Sequence, residues 1–191
     1  MKCGRLHEKF ANMEDGNIAN DLRQLLASSS VSGFLRAATY FIQTLEAEDL
    51  QGSLFYKTSH LALLSLYNTA INLPDIDLRY SNGKKNFDRD SLFQNQNCNH
   101  IAGLADKAFY SEAYDPIYPS EGGPAQGWLV DDYADIYRDI KIELQKIHLG
   151  TNEAVEDALW QLKFGFSFHW GIHCINALRA LHYLKYNHQG F

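Results

Sequence analysis

Apolar side chains recur at three- and four-residue intervals in five separate stretches of this chain, while proline and glycine gather at the junctions. That period puts the apolar residues of each stretch on one helical face, which must be buried against another helix. The first stretch starts at Asn17, with Ile18, Leu22 and Leu25/Leu26, and ends at Ser28-Ser29-Ser30. The second carries Phe34, Ala37/Ala38, Phe41 and Leu45, with Ser32 as its expected N-cap. The third runs from about Ser53 to Leu73, where Pro74 stops it; its leucines lie nearly all round, which predicts deep burial. The fourth begins near Trp128 and places Leu129, Tyr133, Ile136, Tyr137, Ile140, Leu144 and Ile147 on one stripe. Gly150 and Thr151 then read as a C-terminal stop and a fresh N-cap. The last and longest helix is expected over residues 152–186, bent at Gly165 or Gly171.

Two stretches lack this periodicity. Residues 74–100 are polar, with an Asn-Gly turn signal, and predict a long excursion with few core contacts. A short helix is expected over 101–110, followed by a proline- and glycine-rich loop over 112–127 that reads equally as functional or as a surface insertion. No segment reads as a convincing strand. The expected fold is therefore all-α, an antiparallel bundle of five to six helices forming a single domain over residues 1–191, with 1–16 loosely ordered.

Charge and cysteine usage narrow the possible roles. With 191 residues and a formal net charge of -6, and with no cluster of Lys and Arg, the chain has no basic surface for nucleic acid or anionic lipid. Cys3, Cys98 and Cys174 are far apart and lack CxxC spacing, which argues against a disulfide framework or a thiolate zinc site. No apolar run follows Lys2 and Arg5 as a signal peptide would require, and the stretch Leu159 to Tyr186 is broken by Lys163, His169, His173, Asn176 and Arg179. The expected setting is soluble and cytoplasmic.

Chemistry is most plausible where polar residues border buried stripes. His169, His173 and Asn176 share a face of the last helix, and Asp132, Asp135 and Asp139 share one on the helix before it. Helices joined at Gly150-Thr151 must be antiparallel neighbours, so imidazoles should meet carboxylates. Three readings stay open. Two histidines four residues apart can chelate a divalent metal that carboxylates complete, although neither Glu-x-x-His nor HExxH occurs. The cluster could form a proton-active or ligand-gripping pocket. It could also be a structural hydrogen-bond network. Arg179 is expected to pair with Asp135 or Asp139. His60, His182 and His188 read as isolated and structural, and Trp128, Trp160 and Trp170 as core or pocket lining. GxSxG, GxGxxG and GxxxxGK[ST] are absent.

The stretches DDYADIYRDIK, AYDP and ALWQLKFGFSFHWGIHCINALRALHYL resemble an uncharacterised bacterial helical family, the domain of unknown function 5063. Its pattern pairs DLADIYRDLK with HWGxHAxxALRALH. These fall here on Asp132, Asp135, Ile136, Tyr137, Arg138 and Asp139, and on His169, Trp170, Gly171, His173 and Ala177 to His182. Asp115-Pro116 matches the Asp-Pro of the loop. The resemblance lies mainly over residues 100–187 and implies helices and a bacterial source, but no activity, substrate or cofactor. Function therefore divides between a non-enzymatic interaction or regulatory protein with a protein partner and an enzyme dependent on a metal or small ligand. The enzyme would be centred on Asp132, Asp135, Asp139, His169 and His173, with Asn176 and Arg179 alongside.

Overall fold

The computed structural model describes residues 18–81, 103–112 and 125–187. Six helices dominate these residues: α1 (Asn20–Ala27), α2 (Ser29–Glu46), α3 (Gly52–Ala70), α4 (Leu129–His148), α5 (Asn152–Phe168) and α6 (Trp170–Asn187). Ser28 separates the first two. Its hydroxyl donates to the Leu25 carbonyl at 2.7 Å and accepts from the Val31 N–H at 3.4 Å, so one serine closes α1 and caps α2. The cap expected at Ser32 lies four residues earlier, because a helix starting at Ser29 brings Val31, fully buried, onto the core face. Thr151 caps α5 by accepting from the Ala154 N–H at 3.3 Å, and Gly150 adopts the positive φ of 64° that a tight reversal requires.

α2 and α3 form one packed pair; α4 packs along both α5 and α6, and α2 on α4 and α6 on α3 join the two groups. One continuous apolar core runs between them, with Phe34, Phe41, Phe55, Leu63, Leu66, Tyr133, Ile136, Ile140 and Trp170 fully buried. Tyr133 satisfies its hydroxyl inside this core by donating to Ser59 Oγ at 3.1 Å. No helix among the described residues is long and apolar enough to cross a membrane.

Four expectations need correction. Of the helix expected over 101–110, the described residues from 103 onward form a single 3₁₀ turn, Ala105–Ala108, running straight into a strand. That strand, β1 (Phe109–Glu112), pairs antiparallel with β2 (Ala125–Trp128) in the register Phe109↔Trp128 and Tyr110↔Gly127. Four-residue strands are too short to show a period of two, and the Phe109–Trp128 ring stack that fixes their pairing joins residues far apart in sequence. α3 is not buried all round: Leu54, Leu61 and Leu64 are each more than half exposed, because only its Phe55–Ser59–Ala62–Leu66 face has helices to cover it. The last helix is two helices, which leaves α4, with 20 residues, the longest.

The division falls at His169, whose φ of -145° and ψ of -91° are not helical. Its N–H still bonds the Gly165 carbonyl at 2.8 Å, and its carbonyl accepts from the Ile172 N–H at 3.0 Å, so it ends α5 and starts α6. The two flanking glycines make the junction possible. A Cβ at Gly171 would overlap the Phe166 carbonyl, and one at Gly165 would lie 2.6 Å from Cδ1 of Trp170. Each glycine thus permits a close approach, and the chain turns at the residue between them.

The polar excursion is tethered at its start. Glu156, 1% exposed, accepts the backbone N–H groups of Arg79, Tyr80 and Ser81, each at 2.7 Å. The remainder of that excursion, residues 1–16 and His188 lie outside the described residues, as does most of the 112–127 loop.

Candidate metal centre between α4 and α6

Asp132, Asp135 and Asp139 lie three and four residues apart on α4, so successive turns carry them along one edge of its apolar stripe. His169 and His173 sit at the start of α6. The helices run in opposite senses here: Asp139 meets His169, and one turn or more earlier Asp132 meets His173.

His173 Nδ1 lies 2.8 Å from Asp132 Oδ1, and His169 Nδ1 lies 2.7 Å from Asp139 Oδ2. A carboxylate only accepts, so each Nδ1 carries the proton and donates it. In neutral imidazole the lone pair is then on Nε2. With a neutral ring, His173 Nε2 and Asp135 Oδ2 are two acceptors facing each other at 3.4 Å, which either a proton on Nε2 or a cation between them resolves. One ligand atom from each of Asp135, His169 and His173 lies within 4.8 Å of the others. The rings of His169 and His173 meet edge to face, with centroids 5.0 Å apart.

The environment is graded from core to solvent. Asp132 is 3% exposed and fully engaged, since its second oxygen accepts the Tyr110 hydroxyl at 2.6 Å. Asp135 also accepts from Arg138 Nη1 at 3.2 Å, and the His169 side chain is half exposed. The hydrogen bond from His173 to Asp132 raises the imidazole pKa above its ordinary value; burial opposes this, and the charges of Asp132, Asp135 and Asp131 reinforce it. A proton and a metal ion would therefore compete for His173 Nε2, and metal would win ground as pH rises. Cys174 follows His173 but turns into the core, where its thiol donates to the Leu63 carbonyl at 3.6 Å. Burial, with Asp132 next in importance, pushes that thiol up to about 12, so it is no thiolate ligand.

The structure thus brings together five of the seven residues singled out in sequence. Asn176 is half-buried one turn beyond His173. Arg179 is exposed and forms no ion pair with Asp135 or Asp139 among the described residues; Asp135 takes Arg138 instead, three residues along its own helix. His60 and His182 are not isolated. Burial lowers the pKa of His60, and its electrostatic interactions with Lys185 and His182 lower it further. Trp170 is core and donates its indole N–H to the Leu162 carbonyl at 3.2 Å, whereas Trp128 is exposed on β2 and Trp160 stacks on Phe164 at the surface of α5. Tyr110 escaped the sequence analysis because nothing local marks a strand tyrosine 22 residues before its carboxylate partner.

A bundle of helices that clasps histidines between carboxylates along one helix pair is the class of protein these features define. The chain belongs to the family described as domain of unknown function (DUF5063), whose model matches residues 26–187. The match extends well beyond the stretch over which the motifs are visible by eye, and takes in α2 and α3. Among solved structures, the chain is similar to the protein BF1032 from Bacteroides fragilis, a structural-genomics target, at 28% identity and a TM-score of 0.67. That alignment covers 88% of this chain and 99% of the other. No curated protein matches.

Proposed function

We propose that this protein binds a first-row divalent metal ion, zinc or a metal of similar preference, through Asp135, His169 and His173. The observation that carries this reading is the pair of Nδ1–carboxylate hydrogen bonds. They hold both imidazoles in the tautomer that offers Nε2, as carboxylate–histidine–metal sites do. The facing of His173 Nε2 and Asp135 Oδ2 at 3.4 Å supports it, since tetrahedral bonds of about 2.0–2.1 Å imply ligand edges of about 3.3–3.4 Å. Two imidazoles and one carboxylate suit zinc or its neighbours better than magnesium or calcium. Three protein ligands with one half-exposed leave a position for water or an anion, the arrangement of catalytic rather than structural zinc sites.

The test is elemental analysis of protein purified without a metal-affinity tag, followed by calorimetric titration with Zn²⁺. About one ion per chain is expected, with affinity lost in His173→Ala and Asp135→Asn. Wild-type protein that takes up no metal, and a His173→Ala variant that merely melts earlier, would leave the cluster a structural hydrogen-bond network.

A second reading, an interaction protein acting through a protein partner, is favoured by the exposed Leu54, Leu61, Leu64 and Ile71 along one side of α3. If that face is a self-association surface, sedimentation equilibrium will show assembly that Leu61→Glu with Leu64→Glu abolishes without loss of helix. A wild-type monomer at high concentration counts against it. The net charge of -6 supports a partner other than nucleic acid or membrane. The Bacteroides fragilis likeness and the isolated cysteines support a bacterial, cytoplasmic setting, and the continuous core supports a single domain.

A further inference from the structure

Tyr110 belongs to neither helix of the centre, yet its hydroxyl donates to Asp132 Oδ2 at 2.6 Å while Asp132 Oδ1 receives the proton of His173 Nδ1. It is the second residue of β1 and stands directly across from Gly127 on β2. A Cβ at Gly127 would collide with the ring of Tyr110 and lie 2.7 Å from its hydroxyl oxygen. The phenol therefore reaches Asp132 by passing over a position that a side chain could occupy only by displacing the ring. Gly127 is buried, and its φ is not among the positive values, so the steric need, rather than backbone conformation, accounts for a glycine there.

We propose that Tyr110 is a positioning residue for the Asp135/His169/His173 centre, acting through Asp132, and that a glycine at 127 is the condition for its placement. The proposal rests on the metal reading of that centre. Asp132 is nearly inaccessible to solvent, so bulk water does not set its orientation, and the phenol and the His173 imidazole are two of the groups that do. With one oxygen held by the phenol, the other is directed at His173 Nδ1, and the imidazole is held with Nε2 toward Asp135. Without the phenol, Asp132 can rotate or recruit water, and the imidazole loses a fixed direction. The strand pair thereby becomes mechanically linked to the centre: whatever displaces β1 from β2 withdraws Tyr110 from Asp132.

The experiment is Co²⁺ titration of the full chain, read by calorimetry and by the d–d absorption of the bound ion. Tyr110→Phe should weaken Co²⁺ about tenfold, the low end for an outer-shell partner of a metal ligand, and alter the d–d band. Gly127→Ala should weaken it at least as much, whereas Ser111→Ala, an exposed neighbour on β1, should leave it unchanged. In an Asp132→Asn background, Tyr110→Phe should have no further effect, since its route to the metal is already cut. Tyr110→Phe that binds Co²⁺ like the wild type, or whose effect simply adds to that of Asp132→Asn, overturns the proposal. Wild-type protein that fails to bind Co²⁺ overturns the metal reading itself, which is a different result. Should Tyr110→Phe not fold, Gly127→Ala decides: a folded Gly127→Ala variant that binds Co²⁺ like the wild type overturns the proposal.

Discussion

His173 holds two carboxylates apart, and its charge state governs how the site behaves without metal. Its Nδ1 bonds Asp132 and its Nε2 faces Asp135, so the protonated ring satisfies both while the neutral ring satisfies one. Its pKa in the folded protein is raised, chiefly by the Asp132 hydrogen bond. A raised folded value means that the charged imidazole contributes stability fully at pH below its ordinary value near 6.5, and that this contribution fades as pH climbs through the folded value. In metal-free protein, the stability difference between wild type and His173→Gln, measured by urea unfolding, should therefore shrink as pH is raised from 6 to 9. A difference that grows over that range would show that the ring is held neutral. Cys174, one residue on, illustrates how sharply the environment changes along α6: the next side chain faces Leu63 in the core, and its thiol has no role in the centre.

At the scale of elements, the break between α5 and α6 is what aims His169 at Asp139. The non-helical φ and ψ at His169 place it between the helices, where its N–H still bonds the Gly165 carbonyl of α5 while its own carbonyl is the first acceptor for α6, taking Ile172 N–H and His173 N–H. The junction depends on Gly171, whose Cα approaches the Phe166 carbonyl too closely for any side chain. Gly171→Ala should cost about 1–3 kcal/mol, as overpacking of a closely fitted interior does, because a backbone atom rather than a flexible side chain must move. It should also weaken metal binding by shifting His169. Chemical denaturation and Zn²⁺ titration of the variant check both; unchanged stability with unchanged affinity would mean that the junction is not held by this contact. The five apolar stripes and the Thr151 and Gly150 signals were legible because each is a local pattern. The break was only partly legible: Gly165 and Gly171 announced a bend, but its place between them follows from Trp170 folding back over α5 to reach the Leu162 carbonyl.

Over the whole molecule, long-range polar ties do what the stripes cannot. Glu156 on α5 holds the backbone at 79–81, Asn152 accepts the Ala19 N–H at 2.7 Å, and Tyr137 on α4 donates to Glu46 at the end of α2 at 2.7 Å. Such pairs join residues 76, 133 or 91 apart in sequence, and no spacing rule reports them. Lys146 lies buried between Glu143 and Asp157, both at 2.8 Å, a charge cluster that only the closing of α4 on α5 completes. By itself the amino-acid sequence determined a helical chain with its turns at Ser28, Pro74 and Gly150, and two polar faces on helices that had to be neighbours, since periodicity and capping act over a few residues. Tertiary structure alone decided which carboxylate each imidazole meets, that Tyr110 reaches Asp132 over Gly127, that Arg179 stays out, and that one side of α3 remains uncovered. Those outcomes depend on which surfaces compete for the same space, and that competition is settled only when the helices pack.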